Sequence, residues 1–134
     1  MSLLVISTGS FAQCDKKVKL TSSKTEYLDS AGTVQRTVDE TTVIEISKPD
    51  ITIAPGSEEN KMTGTIKSDT CNWKIPFKEG KTVLKATITD RSGDTKDVTL
   101  TIQGKDGKLN FLAEVDNEQD KKIRLTIDKF EEKK

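Results

Sequence analysis

Histidine is absent from this chain of 134 residues. It is the commonest general base and the commonest ligand of transition metals, so its absence excludes a His-dependent catalytic triad. Only two cysteines, Cys14 and Cys71, are present, and they are too few to ligate a structural zinc ion. The sequence therefore predicts no metal site, no cofactor and no enzymatic activity.

An excess of either charge is also missing, because 22 basic residues are balanced by 22 acidic ones. The two signs are interspersed, which leaves no basic stripe to follow a phosphate backbone. Beyond the first dozen residues, no apolar run approaches the length of a membrane span. The sequence thus argues against nucleic acid as a partner and predicts no membrane-spanning segment.

The start of the chain differs from the rest, since residues 1–12 carry no charge and centre on Leu3-Leu4-Val5-Ile6. Ser10-Phe11-Ala12 has the small-x-small pattern that signal peptidase cleaves. We interpret residues 1–12 as a signal-peptide remnant or an added leader; a plain N-terminal strand is the alternative. We expect export to the periplasm or the extracellular space. Gln13 precedes Cys14 where a lipoprotein would have Gly, Ala or Ser, which disfavours lipid anchoring.

Apolar and polar residues alternate along nearly all of the remaining chain. Residues 82–103 show this best, because two alternating arms flank a Gly-bearing turn at residues 90–94. Side chains two apart on a strand share a face, so each arm has one apolar and one Thr-rich face, and the turn folds them into a hairpin. The 18 threonines suit a pleated surface. No apolar spacing of three and four persists long enough to predict a helix.

Residues 13–134 form one domain by length. Strands that follow one another through short turns pair antiparallel, and about 8–10 of them exceed what a flat sheet holds without curling. We therefore predict an all-β, antiparallel up-and-down meander closed into a barrel or half-barrel. An immunoglobulin-like β-sandwich is the alternative, and its long crossovers would have room only near Pro49 and at residues 55–60.

The largest apolar stripe places Cys71, Trp73, Ile75 and Phe77 on one strand face, after a separate strand that contains Gly64. Trp73 is the best candidate for a core anchor. A glycine inside a strand indicates a bulge or a close-packing point rather than a ligand contact. We expect residues 131–134 to fray.

The stretch Val18-Lys19-Leu20-Thr21-Ser22, followed by Tyr27-x-Asp29-x-x-Gly32-x-Val34, resembles the start of small secreted lipocalin-like (calycin-type) bacterial proteins. The resemblance covers about the first quarter of the chain. It implies an antiparallel barrel and a pocket for a small apolar ligand.

Two functional hypotheses follow, and they differ in what fills the space between the apolar faces. In the first, an exported barrel binds a small hydrophobic ligand in a pocket lined by Trp73, Phe111, Leu100 and Leu84. In the second, the core is solid and the protein is a cell-envelope or adhesion module that acts through its surface. Medium-sized aliphatic side chains at the inward positions favour a barrel that is not wholly filled. The sequence identifies no protein partner.

The two cysteines and the carboxylates are the other candidate groups. Cys14 and Cys71 are an even pair in an exported chain, so a disulfide is expected; a buried Cys71 thiol with a free Cys14 is the alternative. Asp39, Glu40 and Glu45 come closest to a catalytic dyad, but adjacent strand residues point to opposite faces, which favours solvated charges. Asp90 and Asp94 are interpreted as turn formers rather than cation ligands.

Overall fold

The structure is a computed structural model that describes residues 16–75, 77–116 and 118–132, without the side chains of Gln119 and Asp120. The predicted signal segment, Cys14 and Pro76 lie outside the described residues. Eight strands alternate with short turns: β1 Val18–Leu28, β2 Val34–Ser47, β3 Asp50–Pro55, β4 Met62–Ile75, β5 Glu79–Thr89, β6 Thr95–Lys105, β7 Lys108–Val115 and β8 Glu118–Glu132. A single 3-10 turn, Glu58–Asn60, precedes β4. Within this described part, no helix is long and apolar enough to cross a membrane.

The strands form one closed barrel in sequence order, each antiparallel to the next, and β8 pairs with β1. The all-β meander and its closure are therefore confirmed, and the sandwich alternative is wrong. Closure is complete along β1, where Val18 lies opposite Glu132 and Leu28 opposite Lys122. Because no long crossover interrupts the meander, four turns lie at one end and three at the other, together with the start of β1 and the end of β8.

The core fills the inside of the barrel with the inward side chains of all eight strands. Alternation explains which residues these are, because every second residue of a strand faces inward. Burying each large aliphatic side chain contributes about 1.5–3 kcal/mol. The largest fully buried apolar side chains are those of Trp73, Phe111, Leu20, Ile44, Ile51, Leu84, Leu100 and Ile102.

Gly64 is a close-packing point, as the sequence predicted. A Cβ at this position would lie 2.5 Å from the Thr87 carbonyl oxygen and 2.5 Å from Ile88 Cδ1, with Ile51 Cγ2 at 3.3 Å. The missing side chain therefore lets β3, β4 and β5 approach closely at the barrel wall.

The observed β4 differs from the two strands and the single apolar stripe that the sequence predicted. The two predicted strands are one 14-residue strand, with register shifts between Ile66 and Ser68 and between Trp73 and Ile75. An extra residue in one strand changes which face the following side chains occupy. Trp73 is fully buried, whereas Ile75 is 47% exposed. Phe77 lies after the strand, in a turn with a positive φ of 62°.

The predicted fraying of residues 131–134 is wrong for residues 131 and 132, because β8 continues through them; residues 133 and 134 lie outside the described residues. Glu131 lies opposite Lys19 of β1. This extension brings Phe130 edge-on to two aromatic rings, with centroids 5.5 Å from Trp73 and 4.8 Å from Phe77. The three rings lie together at the end of the barrel where β1 begins and β8 ends.

β3 is the short strand of the barrel, with six residues between two 14-residue neighbours. It pairs with residues 42–47 of β2 and 62–65 of β4. Among the described residues, the first half of β2 and the second half of β4 consequently lack a strand neighbour on this side. Two contacts span the gap beside β4: Lys48 Nζ lies 2.6 Å from Asp69 Oδ2, and the Ile66 N–H donates to the Pro49 carbonyl at 2.7 Å.

The bulge near the end of β4 gives a direct test of the core. We expect Trp73→Ala to lower the free energy of unfolding by about 3–5 kcal/mol, because it removes a fully buried indole. Ile75→Ala should change it by less than about 0.5 kcal/mol, because that side chain is largely in water. Urea unfolding followed by circular dichroism measures both. Equal losses in the two variants would contradict the register.

Candidate functional site

The four residues predicted to line a ligand pocket all lie in the core. Trp73 and Leu84 are fully buried, and Leu100 and Phe111 are each 1% exposed. Leu84 and Leu100 are directly opposite each other on β5 and β6. The cavity beside Leu84 has a volume of about 20 Å³, far below the roughly 300–1,000 Å³ of pockets that bind small ligands. These side chains therefore pack against their neighbours and leave no ligand-sized space at Leu84.

A chain of hydrogen bonds crosses from β4 to β5 inside the barrel. The Trp73 Nε1–H donates to Thr82 Oγ1 at 2.6 Å, and the Thr82 hydroxyl donates to Cys71 Sγ at 3.3 Å. Cys71 and Thr82 are opposite each other in the register. The sequence did not indicate Thr82, because an inward threonine has the same alternation as any other strand residue. Its hydroxyl satisfies the one polar atom of the buried indole.

Cys71 is in a disulfide, so it is not a free thiol. The other cysteine of the chain, Cys14, lies outside the described residues, and its pairing with Cys71 stays a prediction. Thr82 donates to the Cys71 sulfur beside the cavity that Lys16 also lines. This places the sulfur close to the start of β1.

Two buried hydroxyls lack a hydrogen-bond partner in the structure: Thr25 Oγ1 and Thr42 Oγ1. The residues are 3% and 2% exposed. Ser22, equally buried, avoids this because its hydroxyl donates to the Lys24 carbonyl at 2.9 Å. An unpaired buried hydroxyl loses its bonds to water without replacing them, which costs about 1–3 kcal/mol.

The candidate carboxylates occupy turns and strand faces. Asp90 is confirmed as a turn former, because its Oδ1 accepts from the Ser92 and Asp94 N–H groups at 2.9 and 3.0 Å. Asp94 closes the same turn with its backbone carbonyl, which accepts from the Asp90 N–H at 2.9 Å. Asp39 and Glu40 are neighbours within β2, so their side chains point to opposite faces.

The carboxylates with shifted pKa values form surface ion pairs. Hydrogen bonds from Lys121 and Lys96, at 2.8 and 2.7 Å, lower the pKa of Glu118 to about 2. Hydrogen bonds from Lys67 and Thr87, both 3.0 Å long, lower the pKa of Asp97. Both carboxyl groups are held in the charged form, which suits structural ion pairs and not proton transfer near neutral pH.

A groove lies on the outer face of the barrel. Its volume is about 940 Å³. It lies where β4 ends, β5 begins and β6 ends, and the outward side chains of these strands line it. Those residues include Thr70, Asn72, Lys74, Lys81, Val83, Gln103 and Lys105. Most of its lining residues are polar or charged, with Lys74, Lys81 and Lys105 against Glu79 and Asp106, and the buried Trp73 also borders it.

Comparison with known proteins gives no family: no protein-family description, no curated protein and no solved structure matches this chain.

The same Thr-to-Val change should shift the free energy of unfolding in opposite directions at Thr42 and at Thr82. Thr42→Val should raise the free energy of unfolding by about 1 kcal/mol, because a methyl group replaces a hydroxyl that has no partner. Thr82→Val should lower it by about 1–3 kcal/mol, because the Trp73 N–H then has no acceptor. Chemical denaturation measures both. A destabilised Thr42→Val protein would show that its hydroxyl is bonded.

The ion pairs of Glu118 should make the stability of the fold depend on pH. The pKa of Glu118 is lowered from 4.5 to about 2, so its ion pairs stabilise the fold above about pH 4.5 and are lost as the pH falls towards 2. A carbon-detected NMR titration should give a pKa near 2 for Glu118, and Lys96→Gln should raise it. Lys85→Gln, which removes a lysine bonded to Thr99 and not to Glu118, is the control. An ordinary pKa for Glu118 would contradict the ion pairs.

Proposed function

We propose that this protein is an exported, non-catalytic interaction module that binds its partner on the outer surface of the barrel. The packing of the barrel interior supports this proposal most strongly. The four residues expected to surround a ligand are at most 1% exposed. Eight-stranded barrels have interiors that side chains alone can fill, and the cavity beside Leu84 has a volume of about 20 Å³.

The alternative, a small apolar ligand inside the barrel, stays a prediction of the lipocalin-like resemblance. Pockets for such ligands have volumes of about 300–1,000 Å³ and are mainly apolar. The groove of about 940 Å³ has that size, but it lies on the outer face of the barrel and most of its lining residues are polar or charged. The observed packing therefore favours binding at the surface over binding inside.

The titratable groups support a non-catalytic role. Glu118 and Asp97, the carboxyl groups whose pKa values are shifted, are lowered by lysine partners at the surface. A general acid or base near neutral pH needs the opposite shift for a carboxyl group. The disulfide at Cys71 supports export, because disulfides persist in oxidising compartments.

Ligand titrations test the proposal. We expect no saturable binding of an apolar reporter dye or of benzene to the native protein, because the four candidate pocket residues are buried in the packed core and the cavity beside Leu84 is only about 20 Å³. Leu100→Ala is the positive control, since a buried Leu-to-Ala change in a core leaves a cavity that can bind benzene. Saturable one-to-one binding of the dye to the unmodified protein, displaced by a fatty acid, would overturn the proposal and restore the pocket.

A further inference from the structure

The outer groove is the middle of a longer concave track. A second hollow, of about 380 Å³, shares Gln103 and Lys105 with the groove and adds Lys108 and Asn110. A third, of about 320 Å³, shares Gln103 and Asn110 and extends to Lys122 on β8. The three hollows thus form one continuous track across the outer face from β4 to β8. A track of this length suits an extended polymer better than a small molecule.

Four lysines of this track carry uncompensated charge, whereas Lys122 at its β8 end is paired with Glu114 at 3.6 Å. Lys74, Lys81, Lys105 and Lys108 are all exposed. Within the described residues, none of the four forms an ion pair with a carboxylate. Lysines on other parts of the surface do, for example Lys48 with Asp69. The cationic groups of the track are therefore available to an anionic partner.

The topology separates charge along the barrel although the net charge is zero. The hairpin ends β4–β5 and β6–β7 carry the four track lysines and Lys78, with Glu79 and Asp106 as the only acids in residues 74–81 and 103–108. Acids predominate in the turns of the opposite end, which contain Asp29, Glu58, Glu59, Asp90, Asp94 and Asp116. An 11-residue strand extends over about 35 Å, several times the Debye length of about 8 Å. The acidic end therefore does not neutralise the basic track.

Neutral hydrogen-bonding groups flank the central lysine of the track. Asn72, Lys81, Gln103 and Asn110 are opposite one another in register on four adjacent strands. All four are exposed, and they form a row about 14 Å wide, given strands about 4.8 Å apart. Amide groups both donate to and accept from hydroxyls, whereas ammonium groups donate to anions. This combination matches a sugar polymer that bears both hydroxyl and acidic groups.

We propose that this track binds an anionic polysaccharide, with Lys81 and Lys105 contacting its carboxylate or sulfate groups and the amide row contacting its hydroxyls. The inference rests on the proposed function, since it names the class of partner that the outer surface recognises. Nucleic acid fits less well, because Trp73, the aromatic residue that borders the track, is fully buried and offers no ring face on which bases could stack. An acidic peptide presents its backbone groups to the row of amides, so polyglutamate is the rival that the titration has to separate from a polysaccharide.

Calorimetric titration of the full chain with defined polymers tests the inference. We expect saturable, salt-sensitive binding of polygalacturonate, dextran sulfate or both, and none of uncharged dextran. The first two distinguish carboxylate from sulfate recognition. The double variant Lys81→Gln, Lys105→Gln should weaken binding about tenfold, the loss expected for two exposed charge contacts. The matched control Lys17→Gln, Lys129→Gln removes the same charge from β8 and the chain before β1, and should change affinity less than twofold.

Three results would overturn the inference: no binding of either anionic polysaccharide, equal weakening by the control pair, or equally tight binding of polyglutamate or a DNA oligonucleotide. Any of these results leaves the proposed function, an interaction module that binds on its outer surface, intact if the apolar dye, titrated into the same preparation, shows no saturable site. Saturable dye binding would instead count against the proposed function itself.

Discussion

The pairing of β1 with β8 turns an eight-stranded sheet into a closed barrel. It joins the two ends of the meander over the whole of β1, from Val18 to Leu28. Closure gives eight strands an interior just wide enough for side chains, and the large residues of the core occupy it. A sheet left open between β1 and β8 would expose both edges and Leu20, which is fully buried. The filled interior is in turn the reason why recognition is assigned to the outer surface.

A second constraint is the shortness of β3. Because β3 has six residues and its neighbours β2 and β4 have 14 each, parts of both neighbours have no strand partner on this side of the barrel. Lys48, Asp69 and the Ile66 N–H close part of the gap. Opposite lies the more regular wall of β5, β6 and β7, where Lys81, Gln103 and Asn110 stand in register. A regular wall keeps side chains in fixed rows, which an extended surface site requires.

Alternation in the sequence was sufficient to predict the fold, because period-2 patterns mark strands and short turns imply antiparallel neighbours. It failed where one extra residue changes the face, as at Ile75, since bulges depend on tertiary packing. The ring contacts of Phe130 were missed because polar residues follow it and suggested a frayed end. The outer track was not predictable either: Asn72 and Asn110 are 38 positions apart, and only the register of four strands aligns them.

Barrel closure is tested most directly by NMR contacts between β1 and β8. A closed barrel should give cross-strand nuclear Overhauser effects between the backbone protons of Leu20 and Phe130 and of Thr25 and Leu125, which lie opposite each other. It should also give slow amide exchange along β1 on the side that faces β8. Absence of these contacts, with those amides exchanging as freely as the edge of an open sheet, would contradict the closed barrel and the filled interior that follows from it.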